Sequence, residues 1–170
     1  MRIDVVSASA GTGKTYLAVA AAVDALQRSA VQRIVLTRPA VEAGERLGFL
    51  PGDKDEKLSM WMQPIFDNVE YLMNLSRSEK KAGRGWHELM DLGILEIEPL
   101  TYIRGRSIPN QFIIVDEAQN LTSRAVEELR MLSNFQYGNQ ALLQTFLVGQ
   151  PEFREILQRP EMEQFRQRVS

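Results

Sequence analysis

The sequence predicts an α/β fold of three layers, a mostly parallel sheet of about five strands flanked by helices. Three observations carry that expectation. Short apolar runs rich in β-branched and aromatic residues recur at 3–7, 33–37, 111–115 and 142–149. Between them lie stretches whose apolar positions recur at helical spacing, the alternation that builds parallel strands joined by crossover helices. The run Phe112, Ile113, Ile114, Val115 is apolar throughout instead of alternating, as a strand covered on both faces has to be.

Taken in order, residues 3–7 are the first strand and the alanine-rich residues 16–26 the first helix. The turn between them is Ala8, Ser9, Ala10, Gly11, Thr12, Gly13, Lys14 and Thr15. It fits the phosphate-binding Walker A pattern: Ala or Gly, four residues of any kind, Gly, Lys, then Ser or Thr. Strand, glycine loop, helix is the context in which that pattern acts. Gly11 and Gly13 can adopt backbone angles closed to other residues and have no side chain to block a phosphate. The loop amides can then turn inward as donors, joined by the free N–H groups and partial positive charge of the helix's first turn. Lys14 is expected at the β- and γ-phosphates, and Thr15 to offer its hydroxyl to Mg²⁺. Tyr16 completes the expected nucleotide-binding set. Ala8 departs from the commoner glycine, which the pattern tolerates.

A match of this kind arises by chance in roughly one chain per hundred of this size, so a second motif has to decide. The apolar run at 111–115 ends in Asp116 and Glu117. Carboxylates at the C-terminal end of a buried strand fall on the sheet edge where α/β ligands bind. Asp116 is expected to hold Mg²⁺ through its water shell, and Glu117 to orient and deprotonate the attacking water. The two motifs together narrow the fold to a P-loop NTPase of RecA/AAA+-like kind and the activity to nucleoside triphosphate hydrolysis.

The remaining elements follow the same logic. Residues 33–37 are a strand stopped by Pro39, and 41–57, with Gly44, Gly48, Pro51 and Gly52, are a loop with room for one helical turn. A helix is expected over 64–75, with Pro64 in its first turn and Ile65, Phe66, Val69, Leu72 and Met73 on one face. Trp61 joins them in the expected core. Residues 76–86 are loop-like, and Arg77, Lys80, Lys81 and Arg84 there suit either a nucleic-acid backbone or a solvated surface. His87, the sole histidine, is given no catalytic role. Residues 94–98 alternate as a strand, and Arg104 and Arg106 around Gly105 fit phosphate contacts or a plain exposed turn. Thr122 and Ser123 are helix caps ahead of Val126, Leu129 and Leu132. The strand at 142–149 delivers Gln150, whose amide is expected to sense the γ-phosphate or fix the water. Pro151 opens a short helix to about residue 158, and 161–169 form a last charged helix.

The bulk numbers fit one domain. The 170 residues are 44% hydrophobic and 25% charged, with a formal net charge of −2, which argues against a broad nucleic-acid footprint. There is no cysteine, so disulfides, thiol catalysis and the usual zinc sites are excluded. No apolar run approaches membrane-spanning length. The expectation is a cytoplasmic protein with no membrane insertion.

Four stretches between residues 10 and 119 resemble the PhoH family of P-loop ATPases: 10–22, 35–53, 102–107 and 112–119. The second, opening Val-Leu-Thr-Arg-Pro-Ala-Val-Glu-Ala-Gly-Glu, is long and specific. That family is similar to the core of superfamily 1 helicases, where Asp-Glu-x-Gln is the Mg²⁺ and water motif. The resemblance implies ATP as the nucleotide, Mg²⁺ as the metal, and a link to RNA or single-stranded nucleic acid. From about residue 115 to the end, 116–122, 128–135, 147–153 and 165–169 look like a secretion ATPase of the ExeA type, within the AAA+ class. That second likeness implies Gln150 as a γ-phosphate sensor and Arg166 or Arg168 as an arginine finger offered to a neighbouring subunit of a homo-oligomer. The chain thus resembles a mosaic joined at the acidic motif, with 1–170 expected to be a single domain. Both resemblances imply that it is cut short at its ends. A glutamine-bearing segment that grips adenine is expected upstream, and a strand flanking the first is expected downstream.

Three functions stand: a Mg²⁺-dependent ATPase of PhoH-like type coupled to RNA, an AAA+-like motor active as a ring, and a nucleotide-dependent switch with little hydrolysis.

Overall fold

The computed structural model describes residues 2–39, 54–75, 86–97, 100, 110–132, 136–137, 140–141, 143–167 and 169. Strand β1 (Arg2–Ser7) leads through the glycine loop into helix α1 (Lys14–Gln27) and strand β2 (Arg33–Thr37). Helix α2 (Lys54–Leu75), helix α3 (Trp86–Asp91), strand β3 (Leu95–Ile97) and strand β4 (Gln111–Val115) follow. A 3₁₀ turn, Ala118–Asn120, connects β4 to helix α4 (Ser123–Leu132). Two-residue strands β5 (Gln136–Tyr137) and β6 (Gln140–Ala141) pair antiparallel ahead of strand β7 (Leu143–Gly149). Helix α5 (Glu152–Leu157), a 3₁₀ turn Pro160–Met162 and helix α6 (Glu163–Arg166) complete the described chain.

The main sheet has five strands in the order β1-β7-β4-β2-β3, and every pair in it is parallel. This bears out the predicted fold class. The register is what positions the site. Ser7 pairs with Gly149, Val115 with Leu147, and Thr37 with Val115, so β1, β7, β4 and β2 all end along one edge of the sheet. The glycine loop, Gln150, Asp116 and Arg38 therefore issue from the same edge, although β7 separates the loop strand from the acidic strand. β1 and β3 are the edge strands, and β1 carries an isolated bridge between Ile3 and Val169.

Strand periodicity sends alternate residues to two cores. On one face Ile34, Leu36, Phe112, Ile114 and Val148 pack under α1 and α2. The helix α1 turns Ala18, Val19, Ala22 and Ala25 to the sheet, fully or nearly buried, and these small side chains let its backbone come close. On the other face Ile3, Val35, Ile113, Val115 and Leu147 pack against Leu121, Val126, Leu129, Phe153, Leu157 and Phe165. Each large side chain buried this way contributes about 1.5–3 kcal/mol relative to exposure.

Several boundaries differ from expectation. The helix expected over 64–75 begins at Lys54, so Pro64 lies inside α2 and not in its first turn. Pro64 forfeits one backbone bond there. The burial of Met62, Ile65, Phe66 and Val69 against α1 and the sheet holds the helix together across it. Residues 54–57 are accordingly helical and not loop, while 40–53 lie outside the described residues. Trp86 begins α3 and does not end a loop; the helix is six residues long and buries Leu89, too short to leave a periodic signature. The strand expected over 94–98 shortens to Leu95–Ile97, with Glu98 outside the described residues. The β5–β6 hairpin was not foreseen, because two-residue strands carry no pattern. The last helix is shorter than 161–169: a 3₁₀ turn precedes it, and Val169 bridges to β1. The side chains of Trp61 and Met73, and the whole of residues 76–85 and 101–109, lie outside the description.

Candidate functional site at the sheet edge

The loop after β1 has the backbone its sequence requires. Gly11 and Gly13 take φ of +76° and +81°, values that L side chains rarely adopt. A Cβ built on either would meet nothing within 4 Å, so both glycines border open space and it is the backbone angle that asks for glycine. Gly13 caps α1, and Leu17 N–H donates to its carbonyl at 2.9 Å. No acidic residue occupies the first turn of α1 to compete with an incoming anion. The loop holds its shape from within. Thr12 Oγ1 donates to the Ser9 carbonyl at 2.8 Å, and Lys14 Nζ reaches the same oxygen at 3.4 Å. Ala8 N–H donates to the Gly149 carbonyl at 3.3 Å, tying the loop to the end of β7. Ser9, Ala10, Gly11, Thr12 and Gly13 are exposed, whereas Lys14, Thr15 and Tyr16 are half-buried. Tyr16 packs its ring against Tyr71 of α2, centroids 6.1 Å apart.

Facing the loop is the tip of β4. Asp116 is 1% exposed, and its N–H donates to the Thr37 carbonyl at 2.9 Å, extending the ladder by one rung. Thr15 Oγ1 donates to Asp116 Oδ1 at 3.0 Å. The two halves of the expected metal site, separated by a hundred positions of chain, are thus in contact. Both donors are oxygens, the set that suits a hard cation such as Mg²⁺. Such an ion keeps most of its waters and is shared with substrate phosphates more often than caged by protein alone. No cluster of three or more His, Cys, Asp or Glu able to hold a metal occurs among the described residues.

Glu117 follows in a left-handed conformation, φ 56° and ψ 40°, which is unusual for a residue with a side chain. Gln119 Nε2 donates to Glu117 Oε2, and Gln119 Oε1 accepts from Gln150 N–H at 3.0 Å. The Gln150 carbonyl in turn accepts from Ser7 Oγ at 3.3 Å. The Gln119 amide therefore ties the second carboxylate to the tip of β7, and the Ser7 hydroxyl ties that tip to the strand that enters the loop. Gly149 makes room for it: a Cβ there would stand 3.2 Å from Gln119 Oε1 and 3.1 Å from Phe153 Cβ. Gln150 lies in the expected place, and the bonds described here use its backbone.

Two further residues belong to the site. Arg38 is buried, and its Nε and one terminal nitrogen donate to Asp116 Oδ2 at 3.0 and 2.6 Å. Gln119 is the other. The sequence did contain a signal for Arg38, a charged residue at the end of an apolar strand and just ahead of a proline. Its partner follows only from the register that sets β2 beside β4. Gln119 sits in the acidic motif, but spacing alone does not say what its amide holds. Of the other expected participants, Arg166 is exposed at the end of α6, whereas Arg168, Arg104 and Arg106 lie outside the described residues.

Comparison with known proteins agrees with this geometry. Residues 1–136 match the family of PhoH-like proteins. Protein PhoH2 of Bacillus subtilis is 48% identical over 144 residues, which cover 84% of this chain and 30% of that protein. A PhoH-like protein of Mycobacterium leprae is 46% identical over 135 residues, covering 79% and 36%. Protein PhoH2 of Mycolicibacterium smegmatis is 39% identical over 136 residues, covering 79% and 29%. The chain spans about a third of the length of the curated relatives it matches. The family match continues through 116–122 and 128–135, two of the stretches that look like ExeA-type ATPases. A change of family near residue 115 finds no support in these matches.

Proposed function

The chain belongs to the PhoH-like family, and on that premise we propose that it is a Mg²⁺-dependent P-loop ATPase, acting together with RNA or single-stranded nucleic acid. The observation that carries the reading is the 3.0 Å bond between Thr15 Oγ1 and Asp116 Oδ1, which joins glycine loop to acidic tip. ATP over other nucleotides, and the nucleic-acid partner, rest on the family resemblance.

In this reading the triphosphate lies along the amides from Ala8 to Thr15, and Tyr16 flanks the bound nucleotide. Lys14, which now leans on the Ser9 carbonyl, turns to the β- and γ-phosphates. Thr15 and Asp116 would hold Mg²⁺, which supplies charge withdrawal from the β- and γ-oxygens when bound. Glu117 accepts a proton from a water whose oxygen attacks the γ-phosphorus in line. The bond to the β–γ bridging oxygen breaks, leaving ADP and inorganic phosphate. Gln119 fixes the Glu117 carboxylate, and Gln150 stands between loop and acid, where its side chain can sense the γ-phosphate.

Single-turnover release of γ-phosphate, with Glu117→Gln as comparison, tests the proposal. The variant should bind ATP as the native chain does and hydrolyse it about 10²–10⁴-fold more slowly. Equal, slow release from both would replace the enzyme by a nucleotide-binding switch. Stimulation by RNA at fixed protein concentration supports the nucleic-acid partner. Specific activity that climbs with protein concentration and vanishes in Arg166→Ala or Arg168→Ala would favour the ring-forming, AAA+-like alternative.

A further inference from the structure

Arg38 is 8% exposed, so its guanidinium has largely left water, and such a charge has to be matched by a partner. Asp116 is such a partner, at 2.6 and 3.0 Å on a single carboxylate oxygen, Oδ2. The other oxygen, Oδ1, accepts from Thr15. The sheet enforces this arrangement. Thr37 and Val115 are paired across β2 and β4, so the residues that follow them, Arg38 and Asp116, emerge side by side. Alternation along both strands sends the two to the same face as α1, where Thr15 waits.

The electrostatic result is a carboxylate that is already neutralised. A divalent cation arriving alone would meet a cancelled negative charge with a fixed positive one in contact with it, inside a region that screens poorly. A cation arriving with a triphosphate brings its own compensating charge. We propose that Arg38 is a resident counter-cation of Asp116, which keeps Oδ1 turned to Thr15 and restricts divalent metal to entry with the nucleotide. This deepens the proposed function and rests on its assignment of Asp116 to the metal. Arg38 is a positioning residue in this role, acting on the metal through the carboxylate.

The experiment is Mn²⁺ binding followed by the free-ion electron paramagnetic resonance signal, with and without a non-hydrolysable ATP analogue. The native chain should take up Mn²⁺ only with the analogue. Arg38→Gln should bind Mn²⁺ without nucleotide, tighter than the native chain by about tenfold or more, the scale set by removing a contacting like charge. Arg38→Lys should behave as native, and Arg38→Gln combined with Asp116→Asn should lose the gain. A merely structural role for Arg38 would not produce a gain of affinity. The inference fails if a folded Arg38→Gln binds Mn²⁺ no better than native. It fails equally, whatever the variants do, if the native chain binds Mn²⁺ alone as tightly as with the analogue. A native chain that binds the analogue yet never takes up Mn²⁺ would instead sink the metal assignment itself.

Discussion

The glycine loop and the acidic tip of β4 meet at one hydrogen bond, yet they are built on opposite plans. The loop is exposed, made of main chain, and shaped by two glycines at positive φ with bonds that stay within residues 8–17 or reach the end of β7. The tip joins side chains to one main-chain amide, with Arg38 and Asp116 buried and Glu117, Gln119 and Gln150 half-buried. Arg38, Asp116, Glu117, Gln119 and Gln150 come from three strand ends and are linked pairwise. A site of the first kind is local in the sequence, so substitutions should affect it one residue at a time. A site of the second kind depends on the whole sheet, and losing one member exposes the desolvated remainder of its partner.

The sharpest break of this contrast is Asp116→Ala. It takes the Asp116 carboxylate away from the buried Arg38 guanidinium, and should destabilise the chain by about 3–5 kcal/mol in urea denaturation. Gly149→Ala comes next. The added methyl meets Gln119 and Phe153, and should cost about 1–3 kcal/mol while lengthening the amide path from Glu117 to Gln150. Nuclear magnetic resonance of the Gln119 side-chain amide would register that second effect apart from stability. Gly13→Ala attacks the loop. A methyl group at φ +81° should cost about 1–2 kcal/mol, a smaller effect on folding than that of Asp116→Ala, but one accompanied by weakened ATP binding. If Gly13→Ala unfolded the chain as readily as Asp116→Ala, the two regions would not differ as described. Thr122→Ala lies outside both. It removes the hydroxyl that accepts from Ala125 N–H at 3.2 Å at the start of α4, and should cost about 1 kcal/mol with nucleotide binding unchanged.

The same contrast explains what the sequence disclosed. Gly11, Gly13, Lys14 and Thr15 stood out because the roles proposed for them rest on backbone freedom and spacing along one stretch, and the positive φ of both glycines agrees with that backbone expectation. Asp116 and Glu117 were legible because an apolar run that ends in acids places them at a sheet edge. Arg38 was not, because its partner depends on which strand lies beside β2, and strand order is a property of the whole sheet. Gln119 and Gly149 were hidden for a related reason: one amide needs room beside a strand thirty positions away in the chain, and only packing reveals that need. The helix over α2 was recognised from its apolar face, but its start was set too late. Pro64 is a local stop signal, and burial of Met62 and Ile65 on either side of it overrode that signal. The α3 turn and the β5–β6 hairpin are too short for periodicity to mark.

β7 stands between the strand that enters the loop and the strand that ends in acid, and Pro151 turns it straight into α5. Ser7 and Gln119 both grip the Gln150 backbone, so a shift of either neighbour must pull on that one residue. Phe153 lies under Gly149 in the core opposite α1, so the pull is handed to the far layer of the molecule. If the proposed ATPase reading holds, the molecule divides into a face that grips phosphate and a face placed to feel it go, and amide hydrogen exchange along α5, with and without ATP, is where that division would be read.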